Sequence, residues 1–233
     1  MVDFRYNLIR NSLSQFILNK KLMRPKRIIL IRHGESEGNA DKKVFETIPD
    51  YQLSLTPGGE EQAKQAGQEI KKIIGKETIQ VYISPYYRTR QTYQHIQESI
   101  KDNVVKEFED PRIREQDWGH LRNYEDNNDI QKERDDFSTF YYRIPDGESG
   151  ADVYDRVSTF LESLHRDFQK PDCPENVLIV THGMTLRLFL MRWFHWSVEK
   201  LESLRNPKNC QIVVMQKESN DRYILISELA RRK

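Results

Sequence analysis

The chain of 233 residues has only two cysteines, Cys173 and Cys210, and their spacing fits neither a metal site nor a redox motif. A disulfide framework is therefore not implied, and a reducing, cytoplasmic setting is the expectation. Long apolar runs are also missing. The longest candidate, Leu186 to Trp196, is broken by Arg187, Arg192 and His195, well short of the roughly 18 residues that span a bilayer. Charge of one sign is scarce: 37 Lys and Arg oppose 36 Asp and Glu, for a formal net charge of +1. This balance removes any global electrostatic reason to expect nucleic acid or an anionic membrane as a partner, so an anion must be met by a local cluster. No His, Cys and carboxylate group stands at metal-ligand spacing, and no Gly-rich lysine loop for a nucleoside triphosphate is present. No metal and no other cofactor is expected.

What remains is an ordinary globular composition, with 37% apolar residues and a length that suits one domain carrying a small insertion. Residues 1–26 read as a basic extension. Up to Arg27 the chain has one acid, Asp3, against seven bases, and Ile9, Leu13 and Phe16 recur at helical spacing. Such a segment is either a solvated helical extension or a mitochondrial presequence. Residues 27–233 are expected to form a single domain.

Within it, apolar β-branched runs at Ile28–Ile31, Ile79–Ile83 and Val177–Val180 have the pattern of strands buried on both faces. Val104–Phe108 reads as a shorter strand, and Gln211–Met215 with Tyr223–Ile226 as a closing pair around the polar turn Glu218–Asp221. Helices start at Thr56-Pro57, with Thr56 as N-cap, at Ser84-Pro85 by the same logic, and at Ser149 with Asp152, the last running to about Phe168. Another resumes at Met184. Residues 120–146 are acidic and aromatic without a clean period and read as an insertion. Strands alternating with helices predict an α/β fold, a mostly parallel central sheet with helices on both faces.

One internal echo points to function. Ile28–Gly34 and Val177–Gly183 both run from an apolar strand through one polar residue to His-Gly. Ligands of such sheets gather at the carboxyl ends of the strands, so His33 and His182 are expected in one crevice. Arg32-His33-Gly34 suits phosphoryl transfer: a neutral imidazole nitrogen attacks, and a planar guanidinium holds two phosphoryl oxygens. Neighbouring arginines are expected to keep His33 neutral at pH 7. His182 is expected to be protonated against a phosphate dianion.

Arg32 to Asn39, Arg-His-Gly-Glu-Ser-Glu-Gly-Asn, resembles the signature of the histidine phosphatase superfamily, the phosphoglycerate mutase-like proteins. Leu55–Glu60 with Gln62-Ala63 is similar to that family's first helix start, and Ser84–Arg88 with Thr92 to its second phosphate-binding segment. Arg114-Glu115 before Trp118-Gly119 resembles the segment bearing its proton donor. Gly147-Glu148-Ser149 and Val180–Gly183 complete the set in family order, so that the likeness runs over about residues 27 to 216. The resemblance implies a phosphohistidine on His33, with Arg32, Arg88, His182 and Asn39 around the phosphoryl group and Gly183 beside it. It selects Arg88 over Arg90, and Glu115 over Asp117 as the acid and base. Glu35 and Ser36 are assigned to support of the loop.

The implied activity is metal-independent hydrolysis of a small phosphorylated substrate. Mutases of the family carry extra basic residues in the insertion. Here Tyr124–Tyr142 holds Glu125, Asp126, Asp129, Glu133, Asp135 and Asp136 against Lys132 and Arg134, so an acidic cap over the site is expected to disfavour a bisphosphate. A phosphoglycerate mutase-type transfer and a phosphoprotein phosphatase or signalling module remain the alternatives. The aromatic residues Phe137, Phe140, Tyr141 and Tyr142 either line a pocket or pack the insertion onto the core.

Overall fold

The structure is a computed structural model that describes residues 24–119 and 124–232. Residues 1–23 of the basic extension, and the side chains of Glu125 and Asp126 in the insertion, lie outside the described residues. Pro25 and Lys26, at the end of that extension, are tied to the domain. Tyr223 Oη donates to the Pro25 oxygen at 2.6 Å, and Lys26 Nζ reaches Glu77 at 2.7 Å and Glu175 at 2.8 Å.

Six strands form one sheet: β1 Arg27–Arg32, β2 Ile79–Ile83, β3 Val104–Glu109, β4 Asn176–Thr181, β5 Ile212–Lys217 and β6 Tyr223–Leu225. Their order is β3-β2-β4-β1-β5-β6. The first four run parallel, and β5 and β6 close the sheet antiparallel. The apolar runs of β1, β2 and β4 are buried on both faces because helices cover each side. After a single turn, α1 Glu37–Ala40, come α2 Pro57–Ile74 and α3 Tyr87–Ile100; then α4 Tyr124–Phe137, α5 Gly150–Asp167, α6 Gly183–Phe194 and α7 Val198–Glu202.

Alternation along each strand sorts the core into two halves. Ile29 and Ile31 of β1, Val81 of β2 and Val180 of β4 meet Ile70 of α2 and Ile96 of α3. Ile28 and Leu30 point the other way, toward Val157 and Phe160 of α5 and Leu186 and Phe189 of α6. The Thr56 hydroxyl caps α2 by accepting from Gly59 N at 3.0 Å, with Pro57 at its first position. Ser149 and Asp152 make both bonds of a capping box at the start of α5.

Two sequence expectations need correction. The helix after Ser84-Pro85 starts later, at Tyr87, with Tyr86 as an N-cap that makes no side-chain bond. Ser84 N still donates to Val180 O at 3.0 Å, which keeps that residue in the sheet, and its hydroxyl is taken by His182. The insertion, which has no clean period in sequence, nevertheless contains the helix α4.

Candidate active site

β1 and β4 pair in parallel with Arg32 opposite Thr181, so the residues that follow each strand emerge side by side. His33 and His182 are both buried, with ring centroids 5.2 Å apart in an edge-to-face arrangement. His33 Nδ1 lies 2.7 Å from the Gly34 oxygen, which can only accept. That nitrogen therefore carries the hydrogen, and Nε2 keeps its lone pair. Burial holds the His33 pKa well below 6.5, and the charges of Arg88 and Arg32 push the same way. The neutral imidazole expected from the sequence is thus favoured.

Gly34 serves packing rather than a left-handed turn. A Cβ there would lie 2.5 Å from the Gly59 oxygen, and one on Gly59 would lie 2.0 Å from the Glu35 oxygen. The loop after β1 sits directly on the start of α2, and only two glycines permit that approach. Thr92 of α3 holds the loop by accepting from Gly34 N at 3.0 Å. Glu35 turns away to accept from Thr56 Oγ1 at 2.8 Å, as befits loop support.

Arg88 stands in the first turn of α3, buried, with Nε donating to His33 Nε2 at 3.2 Å. Arg32 Nη1 donates to the Pro207 oxygen at 2.8 Å, while its Nε is buried with no partner among the described residues. Burial lowers the Arg32 pKa, the Glu115 charge raises it and the Arg88 charge lowers it further. For His182, burial, then the charges of Arg88, His33, Arg156 and Arg32, holds the pKa well below 6.5, which favours the neutral ring. Its Nε2 pairs with Ser84 Oγ at 2.7 Å and its Nδ1 is buried with no partner among the described residues.

The Glu115 segment is strapped from behind. Arg156 of α5 donates to the oxygens of Arg112 at 2.7 Å, Arg114 at 2.9 Å and Glu115 at 2.9 Å, and pairs with Glu148 at 3.0 Å. Thr185 Oγ1 adds a bond to the Arg114 oxygen at 2.6 Å. The Glu115 carboxylate reaches a cavity of about 260 Å³ that also holds Arg32, His33, Asn39 and Arg88. Asp117 faces a neighbouring cavity of about 330 Å³ instead, with its Oδ1 accepting from Gly119 N at 2.8 Å. Asn39 lines the same cavity as Glu115, and its Oδ1 accepts from Ser36 N at 3.2 Å and Asn209 Nδ2 at 2.9 Å. Gly183 lies one layer back: a Cβ there would meet the Asn206 side chain at 2.9 Å, and it is Asn206 that lines the cavity.

The remaining walls were missed in the sequence. Lys42, Phe45 and Asp50 come from the stretch before α2, Trp118 from beyond Glu115, and Asn128 and Gln131 from α4. Only Trp118 sits in a segment that carries the family resemblance, and that resemblance gives it no role. The cap is not turned as expected. Asp129, Lys132, Glu133, Asp135 and Asp136 are exposed, and Arg134 is the buried one, over the Trp118 ring at 5.1 Å and donating to Gln116 Oε1 at 3.2 Å. An α-helix exposes one face, and among the described residues that face carries Asp129, Glu133, Asp135 and Asp136 together with Lys132. Phe140 packs into the core, while Phe137 and Tyr141 are exposed away from the cavity.

Comparisons with known proteins fit this geometry. The chain is 46% identical over 205 residues to the phosphoglycerate mutase-like protein AT74 of Arabidopsis thaliana, covering 82% of this chain and 65% of that one. It is 31% identical to the broad-range acid phosphatase DET1 of Saccharomyces cerevisiae, covering 87% of this chain and 89% of the relative. Among solved structures, a mycobacterial glucosyl-3-phosphoglycerate phosphatase with VO3 superposes with a TM-score of 0.66 at 20% identity, over 86% of this chain and 96% of that one. That likeness speaks for the fold. Among the described residues no helix is long and apolar enough to cross a membrane. The match to the family itself spans residues 28–227, both strand-end histidines included, and the chain belongs to the histidine phosphatase superfamily, branch 1.

Proposed function

We propose that the protein hydrolyses a small phosphomonoester through a phosphohistidine on His33, without a metal. The observation that carries this is the His33 ring: Nδ1 is tied to Gly34 O at 2.7 Å, and the unprotonated Nε2 accepts from Arg88 Nε at 3.2 Å, a donor that a phosphoryl oxygen can take over. In-line attack by Nε2 forms the P–N bond as the ester P–O bond breaks, and protonated Glu115 gives its proton to the departing oxygen. Arg32, Arg88 and Asn39 hold the equatorial oxygens, and the arriving dianion favours a proton on His182. Water then attacks phosphorus, Glu115 takes its proton, and the P–N bond breaks to release phosphate. The guanidiniums supply the positive charge that a metal would otherwise bring, and the likeness to a yeast acid phosphatase supports hydrolysis.

A phosphoglycerate mutase-type transfer is the second reading, but the buried Arg134 is engaged by Trp118 and Gln116 and is not among the residues that line the cavity. Lys42 is the one further cation on the described cavity wall, whose other polar groups are largely amides. A bisphosphate intermediate carries a second dianion that needs its own compensation, so water remains the preferred acceptor. The test runs in chelated buffer on 3-phosphoglycerate and a panel of phosphomonoesters, with and without 2,3-bisphosphoglycerate. Rapid quench is expected to trap acid-labile, base-stable phosphate on His33. His33→Ala is expected to lose turnover by on the order of 10⁴-fold or more while keeping its fold. Label on another residue would sink the nucleophile assignment. Fast conversion to 2-phosphoglycerate with little phosphate release would sink the hydrolase reading alone.

A further inference from the structure

Arg88 meets Asp50 with one edge of its guanidinium and His33 with another. Nη1 donates to the Asp50 main-chain oxygen at 2.6 Å and lies 2.9 Å from Oδ1, and Nη2 donates to Oδ2 at 3.2 Å. Nε donates to His33 Nε2 at 3.2 Å. A guanidinium is planar and rigid, so a carboxylate gripping its Nη1–Nη2 end dictates where the Nε–Nη2 side points. That side points at the nitrogen that would attack phosphorus. It offers Nε–H and the second Nη2–H as parallel donors, matched to two oxygens of a phosphoryl group.

Asp50 is well placed to hold this orientation. It opens the short turn Asp50–Gln52, and Leu53, directly after it, is fully buried. The Arg88 side chain is 5% exposed and that of Asp50 26%, so the pair lies mostly out of water, where its attraction is less screened than on a surface. Left alone, a long arginine side chain would sample several rotamers, and fixing it beforehand removes that disorder from the reaction step.

We propose that Asp50 is a positioning residue of the phosphoryl site: it clamps the far end of Arg88 so that the Nε–Nη2 side is aimed at the oxygens of the group on His33. The inference rests on the phosphohistidine reading. An arriving dianion replaces only the Nε–His33 contact, and Asp50 keeps its grip. Asp50 acts through Arg88 and takes no part in bond making. Its negative charge also weakens the pull of Arg88 on any anion, so it favours correct aim over tight binding.

Those two effects separate in an experiment. Asp50→Asn keeps the size and the main-chain contact but loses the charged, two-pronged grip. In this variant kcat should fall ~30-fold with KM changed less than ~3-fold, since orientation matters most in the transition state. Inhibition by vanadate, which resembles the five-coordinate phosphorus, should weaken ~10-fold, while inhibition by inorganic phosphate stays level or tightens slightly. In an Arg88→Lys background there is no plane to aim, so adding Asp50→Asn should cost less than ~3-fold more. Asp50→Ser, read by the same vanadate-to-phosphate ratio, serves if the asparagine variant folds poorly.

Unchanged kcat, or losses that simply multiply with Arg88→Lys, would overturn the inference. So would vanadate and phosphate both binding more tightly, because Asp50 would then be only a competitor for Arg88. A native protein with neither turnover nor vanadate inhibition would overturn the phosphohistidine reading and this inference with it. A native phosphatase indifferent to Asp50 would overturn this inference alone.

Discussion

The floor of the reaction cavity forms where β1 and β4 end, and its roof comes from the Glu115 segment and α4. The floor is bonded main chain to main chain: His33 N to Thr181 O at 3.0 Å, Ser84 N to Val180 O at 3.0 Å, Cys210 N to Arg32 O at 3.1 Å. The strands behind it are buried on both faces. The roof hangs mostly on side chains, with a main-chain bond from Glu148 N to Asp117 O at 2.9 Å. Arg156 carries three carbonyls, Gln116 Nε2 donates to the Glu148 oxygen at 2.7 Å, and Arg134 links α4 to Trp118 and Gln116. Sheet register places the floor, through main-chain bonds that do not depend on side-chain identity. A few side-chain contacts place the roof, so Glu115 and the walls around it are the adjustable parts.

The sharpest way to separate the two regions is Glu115→Gln, which leaves the floor intact. Single-turnover rates should drop ~10²–10⁴-fold for alkyl phosphates and far less for an activated aryl phosphate, whose leaving group needs little protonation. Equal losses for both would move the acid elsewhere. Next comes Arg156→Ala, which spares every cavity residue but removes the strap. We expect a loss of ~10²-fold with the same leaving-group bias, because a displacement near 1 Å suffices for that. Stability should fall by about 3 kcal/mol in urea titration, as Glu148 keeps Arg114 but loses its better-buried partner. A variant that loses stability but not rate would show that the roof needs no such support.

The smallest effect probes the floor through pH. His33 and His182 both have depressed pKa values in the folded protein, so below about pH 6.5 the unfolded chain binds more protons. Their contribution is complete above that pH and is lost as pH falls toward the folded values, by up to about 1.4 kcal/mol per unit for each ring. Urea unfolding at pH 7.0 and 5.5 reads this directly, and His33→Ala should shrink the acid loss. An equal loss in native protein and variant would assign it to other groups, His165 among them, whose pKa is also lowered by burial.

The floor was legible from sequence for a physical reason. A run such as Ile79–Ile83 can only be a strand covered on both faces, and the structure places β2 at those residues. Two such runs each ending in His-Gly had to bring their histidines to one sheet edge. Ser84 misled because Ser-Pro is a good cap on its own, while here the sheet and His182 claim that residue first. Asp50, Arg134, Arg156 and Asn206 were not legible. Each acts on a partner far along the chain, as Asp50 does on Arg88 and Arg156 on Glu115, and neither periodicity nor local motif encodes such a pairing.

Sequence by itself determined the strand-end histidines, the arginines beside them and the α/β frame, because backbone periodicity and side-chain chemistry are local properties. Tertiary structure alone decided that Asp129, Glu133, Asp135 and Asp136 of α4 face water and Arg134 does not, that burial holds the His182 pKa down, and that Asp50 takes the far end of Arg88. Burial and orientation belong to the surroundings of a residue, and those surroundings exist only once distant segments have packed.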